Sequence, residues 1–253
     1  MNAQTAICGS ASELDKKDFA CAACLGFDLN ICRAAAEAEA VTRARPMGIH
    51  QSGHFVPARR IISREQDQQD LVPVICSGWA AAIVTLSDGS RQIVSFLLPG
   101  DMVSTAMLFG SRPFNLIEAI TDVRYRTFNR AELKSLVCKQ PELFEKFARA
   151  WVEEKSQANQ LIVDLGRRTA EERIARLIMN LVDRLTKRKM VRGEPVEFEF
   201  PLRQHHIADA TGLTRVHVSK VLTEFRREGL ININERSLTI LDLNGFRRIA
   251  HMR

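Results

Sequence analysis

RQHHIADATGLTRVHVSKVLTEFRREGLINI, residues 203–233, is the stretch on which the reading of this chain turns. It reads as a short helix over Gln204–Ala210, a tight turn at Thr211-Gly212-Leu213 and a second helix starting near Thr214. Gly212 reaches positive φ without a Cβ clash, and Thr214 is placed to accept an orphan amide of the second helix. Val218, Val221, Leu222 and Phe225 recur at three- and four-residue spacing and are expected to face the first helix through Ile207 and Ala210. The other face carries Arg215, His217, Ser219, Lys220, Thr223, Arg226 and Arg227. Polar and cationic tips over an apolar back suit a helix lying in a DNA major groove. An ordinary surface helix pair would not require that turn chemistry. The expectation from this stretch is DNA binding.

The charge balance supports it. Residues 166–253 hold 18 Lys/Arg against 11 Asp/Glu, whereas residues 1–165 hold 18 against 19, so the positive excess lies wholly in the half containing the two helices. A phosphate-facing surface explains that asymmetry. At 253 residues, with 45% hydrophobic and 26% charged content, the chain has room for two domains with cores. No apolar run reaches the roughly 18 residues a membrane span needs, and no basic segment followed by an apolar core opens the sequence. A cytoplasmic location without membrane contact is expected. Of six cysteines, three crowd together as Cys21-x2-Cys24-x7-Cys32; in a cytosolic chain such spacing points to a metal or cluster rather than to disulfides.

Residues 1–45 read as a cysteine-containing arm, with some helix from about Arg33 to Arg45. Residues 46–139 hold short Val-, Ile- and Phe-rich runs broken by turns. Strands are expected at Phe55–Val56, Arg60–Ser63, Pro73–Ser77, Ala80–Leu86, Arg91–Leu98, Met102–Val103, Ile117–Ala119 and Val123–Asn129. Ser87-Asp88-Gly89-Ser90 is a hairpin signal and Pro99-Gly100-Asp101 another turn, together suggesting a small β-barrel or roll. Asn129 is expected to cap a helix over Arg130–Lys139. Residues 140–166 then form a long helix whose Phe144, Phe147, Trp151, Glu154, Ala158, Leu161 and Leu165 step by three and four. That spacing describes a two-helix seam and hence a homodimer, in preference to packing on the barrel alone. Glu154 weakens such a seam unless a partner satisfies it. Residues 167–253 begin with an amphipathic helix around TAEERIARLIMNLVDRLTKR, its Ile174, Leu177, Ile178, Leu181 and Leu185 inward. Strands over Pro195–Leu202, Ile231–Ile233 and Arg236–Leu241 complete a wing beside the two helices.

This order of parts, with Thr169-Ala170-Glu171-Glu172-Arg173, Phe96-Leu97-Leu98-Pro99-Gly100-Asp101 and Leu213–Leu222, resembles the Crp/Fnr family of bacterial transcription regulators over nearly the whole chain. The resemblance implies an α+β fold: a cupin-like β-roll sensory domain, a long dimerisation helix and a C-terminal winged helix-turn-helix. It also implies a pseudo-palindromic double-stranded DNA operator and, by analogy alone, contact with RNA polymerase through the roll surface and the Gly110–Pro113 loop. Cyclic-nucleotide-binding members carry a Gly-Glu pair with an Arg close after it. Here the corresponding stretch, Gly100–Phe109, has no Arg before Arg112, so no cyclic nucleotide is expected.

The resemblance to the iron–sulfur, oxygen-responsive branch implies a [4Fe-4S] cluster on Cys21, Cys24 and Cys32, since thiolates are soft anionic ligands for iron. The distal ligand expected in Asp122–Arg126 is absent, leaving Cys76 as the best fourth ligand, with Cys8 and Cys138 behind it. Cys138 is expected near the seam as a buried packing residue. Zinc, a thiol switch or no cofactor remain open. The second helix also departs from the family's Glu-x-x-Ser-Arg text, with Val216, Ser219 and Lys220 in those places. Lys220 can donate to guanine, Val216 can meet a thymine methyl, and Arg215 or His217 can replace the lost contact. Ser219, Lys220, His217 and Arg215 are expected at base edges or the adjacent backbone, and Thr214, Arg203 and Arg226 at phosphates. His205-His206 reads as a phosphate contact or surface pair. A DNA-processing enzyme would need a nucleophile or metal-binding carboxylates at this face, and none is evident, so no catalysis is expected. A redox or metal-binding adaptor with loose nucleic-acid affinity is the reading from a different class; specific footprinting separates it.

Overall fold

The computed structural model describes residues 51–63, 70–109 and 116–251. Cys8, Cys21, Cys24, Cys32, the helix expected over residues 33–45 and the Gly110–Pro113 loop lie outside the described residues. The described residues divide into two compact units. One holds β1 (Gln51–Val56), β2 (Ile61–Ser63), β3 (Leu71–Ser77) and Phe96–Glu154; the other holds Ile83–Ser95 and Lys155–Arg253. No helix among the described residues is long and apolar enough to cross a membrane.

The expected strands form, at slightly different limits: β4 (Ala80–Thr85), β5 (Arg91–Leu97), β6 (Leu116–Ala119) and β7 (Val123–Asn129) follow the first three. They make two sheets, β1-β7-β3 and β2-β6-β4-β5. β7 pairs antiparallel with both neighbours, Tyr125 standing opposite His54 on one side and Ile75 on the other. Val72, Val74 and Ile75 are buried in succession, as in a strand covered on both faces. Gly78, at φ +83°, turns the chain into β4 where a Cβ would sit 2.1 Å from the Asp122 carbonyl oxygen. Met102–Val103 corrects the reading: instead of a strand it gives one isolated bridge, Met102 opposite Val74. The Asp101 carboxylate explains the early stop, because it accepts the Leu98 amide at 2.7 Å and folds the chain into a turn. A 3-10 turn over Thr105–Phe109, not foreseen, follows directly.

Asn129 caps α1 (Arg130–Lys139), its side-chain oxygen accepting the Glu132 amide at 3.1 Å. The long helix α2 runs Pro141–Arg167. In its first turns Leu143 and Phe147 are buried. A full capping box then opens α3 (Ala170–Lys187): the Thr169 hydroxyl accepts the Glu172 amide and the Glu172 carboxylate accepts the Thr169 amide. Its inward stripe, Ile174, Ile178, Leu181 and Leu185, is at most 1% exposed, while expected Leu177 is only half-buried. Arginines 168 and 176 both reach the Asp164 carboxylate, at 3.0 and 2.8 Å, bracing the end of α2 against α3.

β8 (Val196–Glu199) leads to the helix pair, α4 (Gln204–Thr211) and α5 (Arg215–Arg227). β9 (Ile231–Ile233) and β10 (Ser237–Ile240) form the wing, in the order β8-β10-β9. A last helix unforeseen in the sequence, α6 (Leu243–Ile249), is capped by Asp242 and lays Phe246 edge-on against Phe225 at 5.3 Å. Burying two aromatic rings in that geometry ties α6 to the back of α5.

Candidate nucleic-acid interface

The turn between α4 and α5 is built by local chemistry. Gly212 takes φ +66° as the C-cap of α4, its amide bonding the Ala208 carbonyl. A Cβ there would also meet the Leu165 side chain at 3.2 Å and the Arg173 guanidinium at 3.7 Å. Arg173 donates to the Thr211 carbonyl at 3.2 Å, satisfying one of the oxygens a helix end leaves open. Thr214 caps α5, its hydroxyl accepting the His217 amide at 3.2 Å.

Behind the turn the expected packing is present: Ile207, Ala210, Val218, Val221, Leu222 and Phe225 are all buried. In front, Arg215, Val216, His217, Lys220, Thr223, Arg226 and Arg227 are exposed and Ser219 is half-exposed. The Thr223 hydroxyl turns back to the Ser219 carbonyl at 2.8 Å, so its hydroxyl is engaged by the helix itself. Arg227 pairs with Glu224. Thr214 and Arg203 lie exposed at the N-caps of α5 and α4. The residues expected at base edges and at phosphates are therefore open to solvent, Ser219 in part, and those on α5 lie over an apolar back.

His206 corrects the sequence reading. It is 7% exposed, and its Nδ1 accepts the Arg203 backbone N–H at 3.0 Å. A backbone amide only donates, so Nδ1 is unprotonated and the ring is the neutral Nε2–H tautomer. Burial first, then the His205, Arg203 and Arg91 charges, pushes its pKa down to about 4. Burial also lowers His205, with Arg215 the next contributor. His206 thus occupies the capping-box position that Glu or Gln fills elsewhere; its place three residues after the N-cap was the available signal.

A pH dependence follows. Between the ordinary value of 6.5 and about 4, the unfolded chain binds a proton that the folded ring refuses. Stability from this group is complete above pH 6.5 and falls as pH drops toward 4, by at most about 3 kcal/mol. His206→Gln retains a cap acceptor and does not titrate. Its thermal midpoint should lose less than the wild type's between pH 7 and pH 5; parallel curves would refute the assignment.

The other expected site residues are distributed as follows. Cys76, half-buried, lies in β3 at a register shift against β7, its thiol 3.8 Å from the Val74 carbonyl oxygen. Cys138 is exposed rather than buried packing, because it lies about 100° around α1 from buried Val137. Along α2, Phe144 (50% exposed), Trp151 (57%) and Ile162 (69%) open to solvent, as does Ala158. Phe147 is instead buried within its own chain, and Leu161 and Leu165 are half-buried. Glu154 accepts hydrogen bonds from Ser104 and Thr105. Among the described residues no His, Cys, Asp and Glu cluster could hold a metal ion.

Comparison with known proteins places these parts. Residues 172–249 match the Crp-like helix-turn-helix domain, and residues 54–140 the cyclic nucleotide-binding domain. The chain is similar to the nitrogen fixation regulation protein FixK of Bradyrhizobium diazoefficiens, at 32% identity over 75% of this chain and 77% of that protein. It is also similar to the transcriptional activator protein FnrL of Cereibacter sphaeroides, at 29% identity over 69% of this chain and 70% of that one. The solved structure of FixK2 from Bradyrhizobium japonicum superposes with a TM-score of 0.68 at 23% identity, covering 79% of this chain and 98% of that one. That likeness concerns the fold.

Proposed function

Because the chain belongs to the Crp/Fnr family of DNA-binding transcription regulators, we propose that it works as a homodimer on a pseudo-palindromic operator, under control of oxygen. The observation that carries the DNA half is the solvent-facing side of α5: Arg215, Val216, His217, Ser219 and Lys220 fan out over it, and Val218, Val221, Leu222 and Phe225 behind them are buried. Two copies related by a two-fold axis present two such sides, and two-fold symmetry in the protein calls for two half-sites in the DNA. Exposed Phe144, Trp151, Ala158 and Ile162 supply an apolar stripe for pairing along α2.

The control half rests on cysteine chemistry. Cys21, Cys24 and Cys32 supply three thiolates within twelve residues, and Cys76, whose thiol stands at the end of a roll strand, is the fourth candidate. That donor set fits a [4Fe-4S] cluster, which would make the arm sensitive to oxygen. The chain's own contribution is to hold Cys76 at the register shift between Ile75 and Ser77, where β3 departs from regular pairing with β7. Contact with RNA polymerase through the roll surface and residues 110–113 belongs to the same proposal by family analogy.

Anaerobic purification with iron and sulfide analysis tests it. About four irons and four sulfides per chain, with a visible absorbance that bleaches in air, are expected. Cys76→Ser should lower the iron content. Colourless, iron-free protein that still dimerises and binds its operator in air would eliminate the cluster and favour a thiol switch or another signal, leaving the DNA-binding half intact.

A further inference from the structure

The carboxylate of Glu154 accepts three hydrogen bonds. The Thr105 hydroxyl donates at 2.5 Å, the Thr105 backbone amide at 3.2 Å and the Ser104 hydroxyl at 3.2 Å. All three donors lie in Gly100–Phe109, within the part that matches the cyclic nucleotide-binding domain. Thr105 is 6% exposed, so its polar atoms are largely withdrawn from solvent. Nearby, Trp151 of α2 meets Phe109 of the same turn, ring centroids 6.5 Å apart.

Helix geometry gives these contacts their meaning. Leu143 and Phe147 are buried, and Glu154 lies seven residues beyond Phe147, on nearly the same line of α2. The exposed stripe of Phe144, Trp151, Ala158 and Ile162 lies roughly 60° further around the helix. That line is buried at its start and passes through the exposed Glu154, whose carboxylate the Ser104–Thr105 turn receives, before it reaches half-buried Leu161 and Leu165. A carboxylate not held there would stand at the edge of the apolar stripe, where an unpaired charge opposes burial.

We infer that Glu154 is an internal ligand of the roll: by occupying the Ser104–Thr105 donors it fixes the rotation of α2, so that Phe144, Trp151, Ala158 and Ile162 face a second copy of the chain. This rests on the homodimer reading. The donors in the segment corresponding to the family's ligand-holding stretch are engaged by the chain's own side chain. The turn and the long helix consequently move as one piece, and any change at Thr105–Phe109 reaches the pairing stripe through Glu154.

A double-mutant cycle tests it, using the full-length chain with Thr105→Val, Glu154→Leu and the two combined. Dimer dissociation is read by sedimentation equilibrium and intramolecular coupling by the thermal midpoint. Thr105→Val leaves the carboxylate and removes its shortest donor, so it should raise the dimer dissociation constant about tenfold, the scale of one hydrogen bond to a charged group. With Leu at position 154 the same change should act within about twofold. Ser104→Ala, which removes a more exposed donor, should show a smaller shift in the same direction and guards against misfolding of the Val variant. Independent, additive effects on the thermal midpoint would overturn the clasp. Coupling in the midpoint without change in dimer dissociation would overturn its link to the pairing stripe. A wild-type chain that sediments as a monomer would overturn the homodimer reading itself, and the midpoint cycle would still decide whether the contact exists.

Discussion

Phe225→Ala is expected to destabilise the DNA-binding unit by about 3–5 kcal/mol, the cost of emptying a buried aromatic site. Phe225 is 2% exposed on the back of α5 and meets Phe246 edge-on at 5.3 Å. Its backbone carbonyl also accepts the Leu230 amide at 2.9 Å, which directs the chain out of α5 toward the wing. Losing the ring leaves a cavity where α5 and α6 meet, and collapse would require moving the recognition helix relative to its partner. For a domain of this size each kcal/mol lowers the midpoint by about 4–8 °C, so a fall of more than about 12 °C is expected by calorimetry. Operator and random DNA should both be bound poorly, because the solvent-facing side of α5 loses its support. Phe225→Leu, which retains most of the volume, should fall much less. An Ala variant melting within a few degrees of the wild type would show that the α5–α6 contact carries little of the unit's stability.

The sequence announced some of this architecture and concealed the rest for identifiable reasons. The helix pair was legible because three signals agree within the fourteen residues from Gly212 to Phe225: an apolar period of 3.6, a glycine where φ is positive, and a threonine at the next N-cap. The capping box at Thr169 and Glu172 was legible in the same way. The 3-10 turn at Thr105–Phe109 was not, because five residues are too few to show a period, and the donors that fix it answer to Glu154, fifty residues away. α6 was missed although Asp242 offered a cap, since its seven residues contribute only Gly245 and Phe246 to the core.

The pairing stripe shows a limit of another kind. Spacing by three and four marks every residue on one side of α2 alike. It cannot say that Phe147 is covered by its own chain while Phe144, 60° away, is left open. His206 shows the same limit at a cap: two adjacent histidines read as a surface pair until the Arg203 amide is found donating to one of them.

Lys220→Ala is expected to weaken operator binding by about 1–3 kcal/mol, roughly 5- to 150-fold, while weakening random DNA far less. Lys220 is exposed near the middle of α5, six residues beyond the Thr214 cap, with Ser219 beside it and Val216 about one turn before. An ammonium group there can donate to a guanine edge but, lacking the planar fork of arginine, reads it as a point charge. Lys220→Arg should therefore retain operator binding or strengthen it where a guanine lies opposite, and substituting that base should remove the difference between Lys and Arg. Arg226→Ala, at the far end of the helix, provides the contrast. If it meets a phosphate, its loss should be similar on every sequence, and the slope of log affinity against log salt should shrink by about one. Fluorescence anisotropy on operator and scrambled duplexes, across a salt series, measures both. Equal losses on the two duplexes for Lys220→Ala would move Lys220 from the bases to the phosphates. Discrimination would then have to come from Arg215, Val216, His217 and Ser219, the side chains nearer the start of α5, where a recognition helix approaches base edges most closely.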